Sequence, residues 1–102
     1  MGLKILLKNE KGTTLESVAD SKKLLNRLLP SFDDQEYCCI RFIDRYGDTV
    51  FNGLQMKIFL DEWNLIIDKA IQEEEIKLVL SIKELAIRCQ STTHLYLCFY
   101  GD

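Results

Sequence analysis

The sequence predicts an α+β domain: a mostly antiparallel sheet of four or five strands with three helices packed on one face. Three observations point there. The first residues alternate apolar and charged and then meet a turn. The stretch from Gly53 to Gln90 repeats its apolar residues at helical spacing. The closing segment His94–Tyr100 is apolar on both faces. The chain has 102 residues, which suits one domain spanning 1–102 with one core.

Leu3, Ile5 and Leu7 share one side of a strand, with Lys4 and Lys8 on the other. Asn9–Gly12 reads as a turn, and Thr13–Val18 as the returning strand of a hairpin. Asp20 or Ser21 can cap a helix carrying Leu24, Leu25, Leu28 and Leu29, which Pro30 ends. Ser31–Glu36 is an acidic loop. Tyr37–Asp44 reads as a strand with Cys38, Ile40 and Phe42 turned to the core and Tyr37, Cys39, Arg41 and Ile43 on the far side. Asp44–Asp48 is a hairpin turn around Gly47, and Thr49–Phe51 its short partner strand.

Asn52 and Gln55 have capping-box spacing, and Phe51 with Met56 fits a hydrophobic staple. The helix that follows runs to about Ile71, with Ile58, Phe59, Trp63, Ile66, Ile67 and Ala70 inward. Gln72–Glu75 breaks it and opens another helix, since glutamates suit a first turn; an unbroken helix over 53–90 is the alternative. In the second helix Ile76, Val79, Leu80 and Ile87 form one stripe, and Leu78, Ile82, Leu85 and Cys89 another. A helix apolar on two sides packs against two things, such as the sheet and the preceding helix, or a second protomer. His94–Tyr100, apolar throughout, suits the middle of a sheet.

Composition narrows the function. A chain 47% apolar and 28% charged can build a core, so disorder is not expected. The net charge of −3 is the wrong sign for neutralising phosphates, so nucleic acid is not the expected partner. No apolar run approaches the roughly 20 residues of a membrane span, and no signal peptide is recognisable, which makes the expected location cytoplasmic. Cys38, Cys39, Cys89 and Cys98 form no C-x-x-C pair and read as free thiols; with one histidine there is no zinc pattern. No cofactor or metal is expected, and no glycine-rich loop supports nucleotide binding.

The polar residues worth following are Arg41, Asp44, Arg45, Tyr46 and Asp48 around the turn, together with His94. Asp44 and Asp48 could hold a metal or act as an acid–base pair, but they flank a turn of the kind aspartate and glycine make for backbone reasons, and turn geometry is the better explanation of them. Cys38 or Cys39 beside His94 would be needed for thiolate chemistry, although packing accounts for both cysteines. Arg41 with Tyr37, Cys39, Tyr96, Tyr100, Lys4 and Lys8 would make an aromatic and basic sheet face of the sort protein partners use. The scattered acids would suit a basic partner.

RFIDRYGDTVFN (Arg41–Asn52), continued by LQM at Leu54–Met56, resembles a block in small bacterial single-domain proteins of unknown function. HLYLCFYGD (His94–Asp102) resembles their H-x-Y-L-x-F-x-G-D tail. The resemblance implies a bacterial cytoplasmic protein, with some relatives in mobile, integron gene-cassette contexts, and it carries no activity with it. Cys38 and Cys39 lie outside the block. The leading expectation is a non-enzymatic protein-interaction module using the 44–48 turn and the open sheet face. Its partner is another protein or itself, as a homodimer through the C-terminal helix; an immunity or antitoxin-type role is its most concrete form. The alternative is a small-molecule-binding protein or small enzyme with a site between the turn and His94.

Overall fold

The structure, a computed structural model, is described over residues 2–101. Four strands form one antiparallel sheet: β1 (Lys4–Asn9), β2 (Thr14–Ala19), β3 (Asp48–Asn52) and β4 (Leu95–Tyr100), in the order β2-β1-β4-β3. The helices are the one-turn α1 (Leu25–Leu28), α2 (Met56–Lys69) and α3 (Glu73–Ser91). No helix among the described residues is long and apolar enough to cross a membrane.

The N-terminal hairpin closes as its turn chemistry predicts. Asn9 Oδ1 accepts the N–H groups of Lys11 and Thr13, each at 3.0 Å, and Gly12 takes φ +81, which its missing Cβ permits. Leu3, Ile5 and Leu7 are buried under the helices. β4 sits between β1 and β3 with Leu95, Leu97 and Phe99 buried. A central strand pairs on both sides and is shielded on at least one face, which explains its continuous apolar composition.

Asn52 caps a 3-10 turn (Gly53–Gln55) that leads into α2. Its side chain accepts from Gln55 N–H at 3.1 Å, while Gln55 Oε1 accepts from Asn52 N–H at 2.8 Å. The chain between the two long helices breaks at Ala70, which is extended. Gln72 and Glu75 then form a second capping box at the start of α3. Two helices, not one, therefore join β3 to β4. Their inner faces meet the sheet through an aromatic cluster. Phe59 stacks on Trp63 at 5.4 Å, Phe51 and Phe99 close in at 5.3 and 5.9 Å from Phe59, and Trp63 Nε1 donates to the Val79 carbonyl at 2.9 Å.

Several expectations need correction. Tyr37–Asp44 is not a strand, so the sheet has four strands and the 44–48 turn closes no hairpin; β3 pairs with β4 instead. The cause is Glu62 on α2. Its buried carboxylate accepts the consecutive backbone N–H groups of Cys38, Cys39 (2.9 Å) and Ile40 (3.1 Å), and these donors curl the chain into a 3-10 turn at Ile40–Phe42. Inward and outward sides change accordingly: Tyr37, Cys39, Ile40 and Ile43 are buried, while Cys38 and Phe42 are exposed.

The helix before Pro30 is a single turn. Lys23 takes φ +58, and the buried Asp20 carboxylate accepts from Leu24 and Leu25 N–H at 2.8 Å each, holding a bend where a longer helix was expected. Ile58 faces solvent, its inward place taken by Met56 and Glu62. On α3, Val79 is buried with Ile82, Leu85 and Cys89, but Ile76, Leu80 and Ile87 are exposed, so that side of the helix has no partner among the described residues.

Candidate functional site

The segment from Pro30 to Gly47 runs along the side of α2 and returns to the sheet at β3. Its inner side is fixed by Glu62. Its outer side carries a cleft of about 360 Å³ lined by Pro30, Ser31, Phe32, Arg41, Phe42, Ile43, Asp44, Arg45 and Tyr46. Four of the six sequence-selected residues thus share one cleft, and Asp48 follows it at the start of β3.

The four do different work. Asp44 Oδ1 accepts from Tyr46 N–H at 2.9 Å, and Asp44 N–H donates to Thr49 Oγ1 at 2.8 Å, so this aspartate shapes the turn. Gly47 lies against it: a Cβ there would stand 2.6 Å from Asp44 Oδ2. Arg45 donates to the Leu29 carbonyl at 3.1 Å and to the Asn26 carbonyl at 3.5 Å, satisfying carbonyls that α1 leaves free at its end. Removing Asp44 or Arg45 would therefore disturb the fold as well as any site.

Arg41 and Tyr46 have no such employment. The Arg41 guanidinium lies 4.6 Å from the centre of the Phe42 ring and 5.8 Å from that of Phe32, and the two rings meet edge to face at 5.5 Å. Its one hydrogen bond among the described residues is a long one, 3.4 Å from Nη1 to the Phe32 carbonyl. Arg41 Nε is buried without an acceptor. Phe32, Phe42 and Tyr46 are 65%, 45% and 81% exposed. Phe32 was not singled out by sequence; it sits in an acidic loop, and nothing local marks it as a neighbour of Arg41.

His94 lies elsewhere. Asp48 pairs with Tyr100 and Asn52 with Tyr96, so β4 carries the turn at its end and His94 before its start, about 20 Å apart. A site joining the turn to His94 is ruled out by that strand. His94 takes φ +62, its Nδ1 lies 3.6 Å from Glu10 Oε2, and it borders a separate cleft of about 450 Å³ with Asn52, Leu54, Thr92, Thr93 and Tyr96. Cys89 also lines that cleft, but its thiol donates to the Leu95 carbonyl at 3.5 Å and burial pushes its pKa up to about 11. Burial likewise raises Cys39, with the Glu62 charge adding to it, and raises Cys98. A thiolate nucleophile needs the opposite shift.

The open side of the sheet carries Lys4, Lys8, Tyr96 and Tyr100, with Lys8 Nζ 4.9 Å from the centre of the Tyr100 ring. Tyr37 and Cys39, expected there, are in the core, and Arg41 is on the loop. The chain matches no family model, no curated protein and no solved structure.

Proposed function

We propose that this chain is a non-enzymatic protein-interaction module whose contact surface is the Phe32–Arg41–Phe42–Tyr46 cleft. The observation that carries the reading is two exposed aromatic rings, Phe32 and Phe42, set against one arginine, with exposed Tyr46 lining the same cleft, on a loop pinned from beneath. Exposed aromatics scattered singly need no explanation, but aromatics with arginine in one cleft have the composition of an interface centre. The rings hold the guanidinium in place before a partner arrives, which lowers the ordering cost of binding. The terminal guanidinium nitrogens, with one long hydrogen bond between Nη1 and the Phe32 carbonyl, leave donors for a partner that brings an acceptor.

The acids that an immunity-type role would set against a basic partner are spread over several elements. Glu74 is paired with Lys22 at 2.9 Å, and Glu16 with Arg88 at 3.0 Å. The cleft itself carries Arg41 and Arg45 against Asp44, so it favours an acceptor-bearing partner over a basic one. Self-association is the other form of the reading, and the exposed Ile76, Leu80 and Ile87 give the C-terminal helix an apolar stripe for it.

The test is capture by tagged protein from a bacterial lysate, read by mass spectrometry. The Arg41→Ala, Phe42→Ala, Tyr46→Ala triple variant should lose the partner while melting as the wild type does. A partner kept by that variant but lost on Leu80→Glu would move the site to α3. A small-molecule reading rests on the His94 cleft alone, and a ligand that raises the melting temperature in wild type but not in His94→Ala would favour it.

A further inference from the structure

The two edges of the sheet are protected to different degrees. β2 has a register break against β1 at Leu7/Lys8, and its Glu16 is tied to Arg88 of α3. β3 carries neither a break, a proline nor a lysine, the usual devices that discourage edge pairing. The hydrogen-bond phase of β3 follows from one contact. Gly101 N–H donates to the Gly47 carbonyl at 2.8 Å, and the register pairs Asp48 with Tyr100. Bonded and non-bonded pairs alternate along an antiparallel ladder, so Thr49 and Phe51 also bond to β4. Asp48, Val50 and Asn52 then point their backbone groups to the free edge. Asn52 N–H agrees: it is taken by Gln55 Oε1 and not by β4. Among the described residues, nothing in the chain bonds the backbone groups of Asp48 or Val50 on that side.

From this phase and this edge we infer that β3 pairs antiparallel with β3 of a second copy, about a two-fold axis at Val50. The phase allows axes at Asp48, Val50 or Asn52. An axis at Asp48 sets two carboxylates directly opposite each other, which is unfavourable. An axis at Asn52 needs the N–H already committed to the capping box. The axis at Val50 places Val50 against its own copy and Asp48 against Asn52 of the second copy. The Asn52 amide then faces the Asp48 carboxylate on both sides of the axis.

About four backbone bonds form, two at Val50 and one from each Asp48 N–H. Val50 is 54% exposed and shares a row of the open face with Cys98 and Leu6, both buried. The pairing continues that apolar row across the axis. The stripe on α3 offers area but no directional groups, so it specifies no register; β3 specifies one. A single strand pair is a small contact, so the dimer is weak and concentration-dependent.

The test is sedimentation equilibrium of the full chain from micromolar to millimolar concentration, with amide exchange followed in parallel. Wild type should rise toward twice the monomer mass. At low concentration the Val50 and Asp48 amides should exchange fast while Thr49 and Phe51 are protected; at high concentration all four should be protected. Val50→Pro removes only an outward N–H, and Val50→Lys keeps the N–H but sets like charges on the axis; both should stay monomeric. Wild type that stays monomeric at millimolar concentration overturns the proposal. So does doubling that survives both Val50 variants, or doubling that Leu80→Glu abolishes while the Val50 amide stays fast.

Discussion

The inner and outer sides of the Pro30–Gly47 segment follow opposite rules. Inside, a buried acceptor meets donors in sufficient number: Glu62 takes three backbone N–H groups, just as Asp20 takes two at the bend before α1. Outside, groups of high binding capacity are left over: an arginine whose guanidinium makes one long hydrogen bond, and three aromatic rings facing water. Burial demands that polar groups be satisfied, so these acids are structural although they are among the few buried charges of the described residues. A surface tolerates unspent capacity, and function is to be sought there.

The largest effect should come from the inside. Glu62→Ala leaves three N–H groups without their acceptor and should cost about 3 kcal/mol or more, read by urea unfolding. The loss should be accompanied by rapid amide exchange at Cys38–Ile40. A variant as stable as wild type would break the comparison at its root.

Gly101→Ala should come next. Its Cβ would stand 2.1 Å from the Arg45 carbonyl oxygen, backbone that cannot swing aside, and the end of β4 must leave the turn. A loss of about 2 kcal/mol is expected by equilibrium unfolding, a typical figure for enforced strain.

Glu75 supplies a pH test of the same inner rule. It accepts from Arg27 at 2.7 Å and from the Ile71 and Gln72 N–H groups at 3.1 Å, and the Arg27 hydrogen bond chiefly lowers its pKa from 4.5 to about 2. A folded pKa below the unfolded one adds stability that is complete above about pH 4.5 and is lost as pH falls towards 2. Thermal melts from pH 7 to pH 2.5 should show a drop over that window in wild type and a shallower one in Glu75→Gln.

The smallest effect on stability belongs to the outside. Arg41→Ala, Phe42→Ala and Tyr46→Ala together should change unfolding free energy by less than about 1 kcal/mol, since none holds the core. Asp44→Ala and Arg45→Ala should each cost more than Tyr46→Ala, because they hold the turn and the end of α1.

What could be read from sequence was what local chemistry decides. Asn52 with Gln55, the two-sided apolar run of β4, and the break before Glu73 all act within a few residues of themselves. Tyr37–Asp44 failed because its shape is set by Glu62, some twenty residues later and indistinguishable in sequence from a solvated helix charge. The alternation of Cys38, Ile40 and Phe42 looked like a strand; the real inward set, Tyr37, Cys39, Ile40 and Ile43, makes sense only once Glu62 bends the backbone. The cleft was half legible: Arg41 and Tyr46 stood out by type, whereas Phe32 joins them only through the fold. Asp44 and Arg45 stood out equally and are held by backbone groups.

The most direct measurement is the affinity of the captured partner for wild type and for the Arg41→Ala, Phe42→Ala, Tyr46→Ala variant, by titration calorimetry with melting curves alongside. Central aromatic and arginine contacts typically carry most of an interface's energy, so a loss of at least about 100-fold with an unchanged melt is predicted. Equal affinity for the two proteins would contradict the account and leave the outer side of the loop without a role.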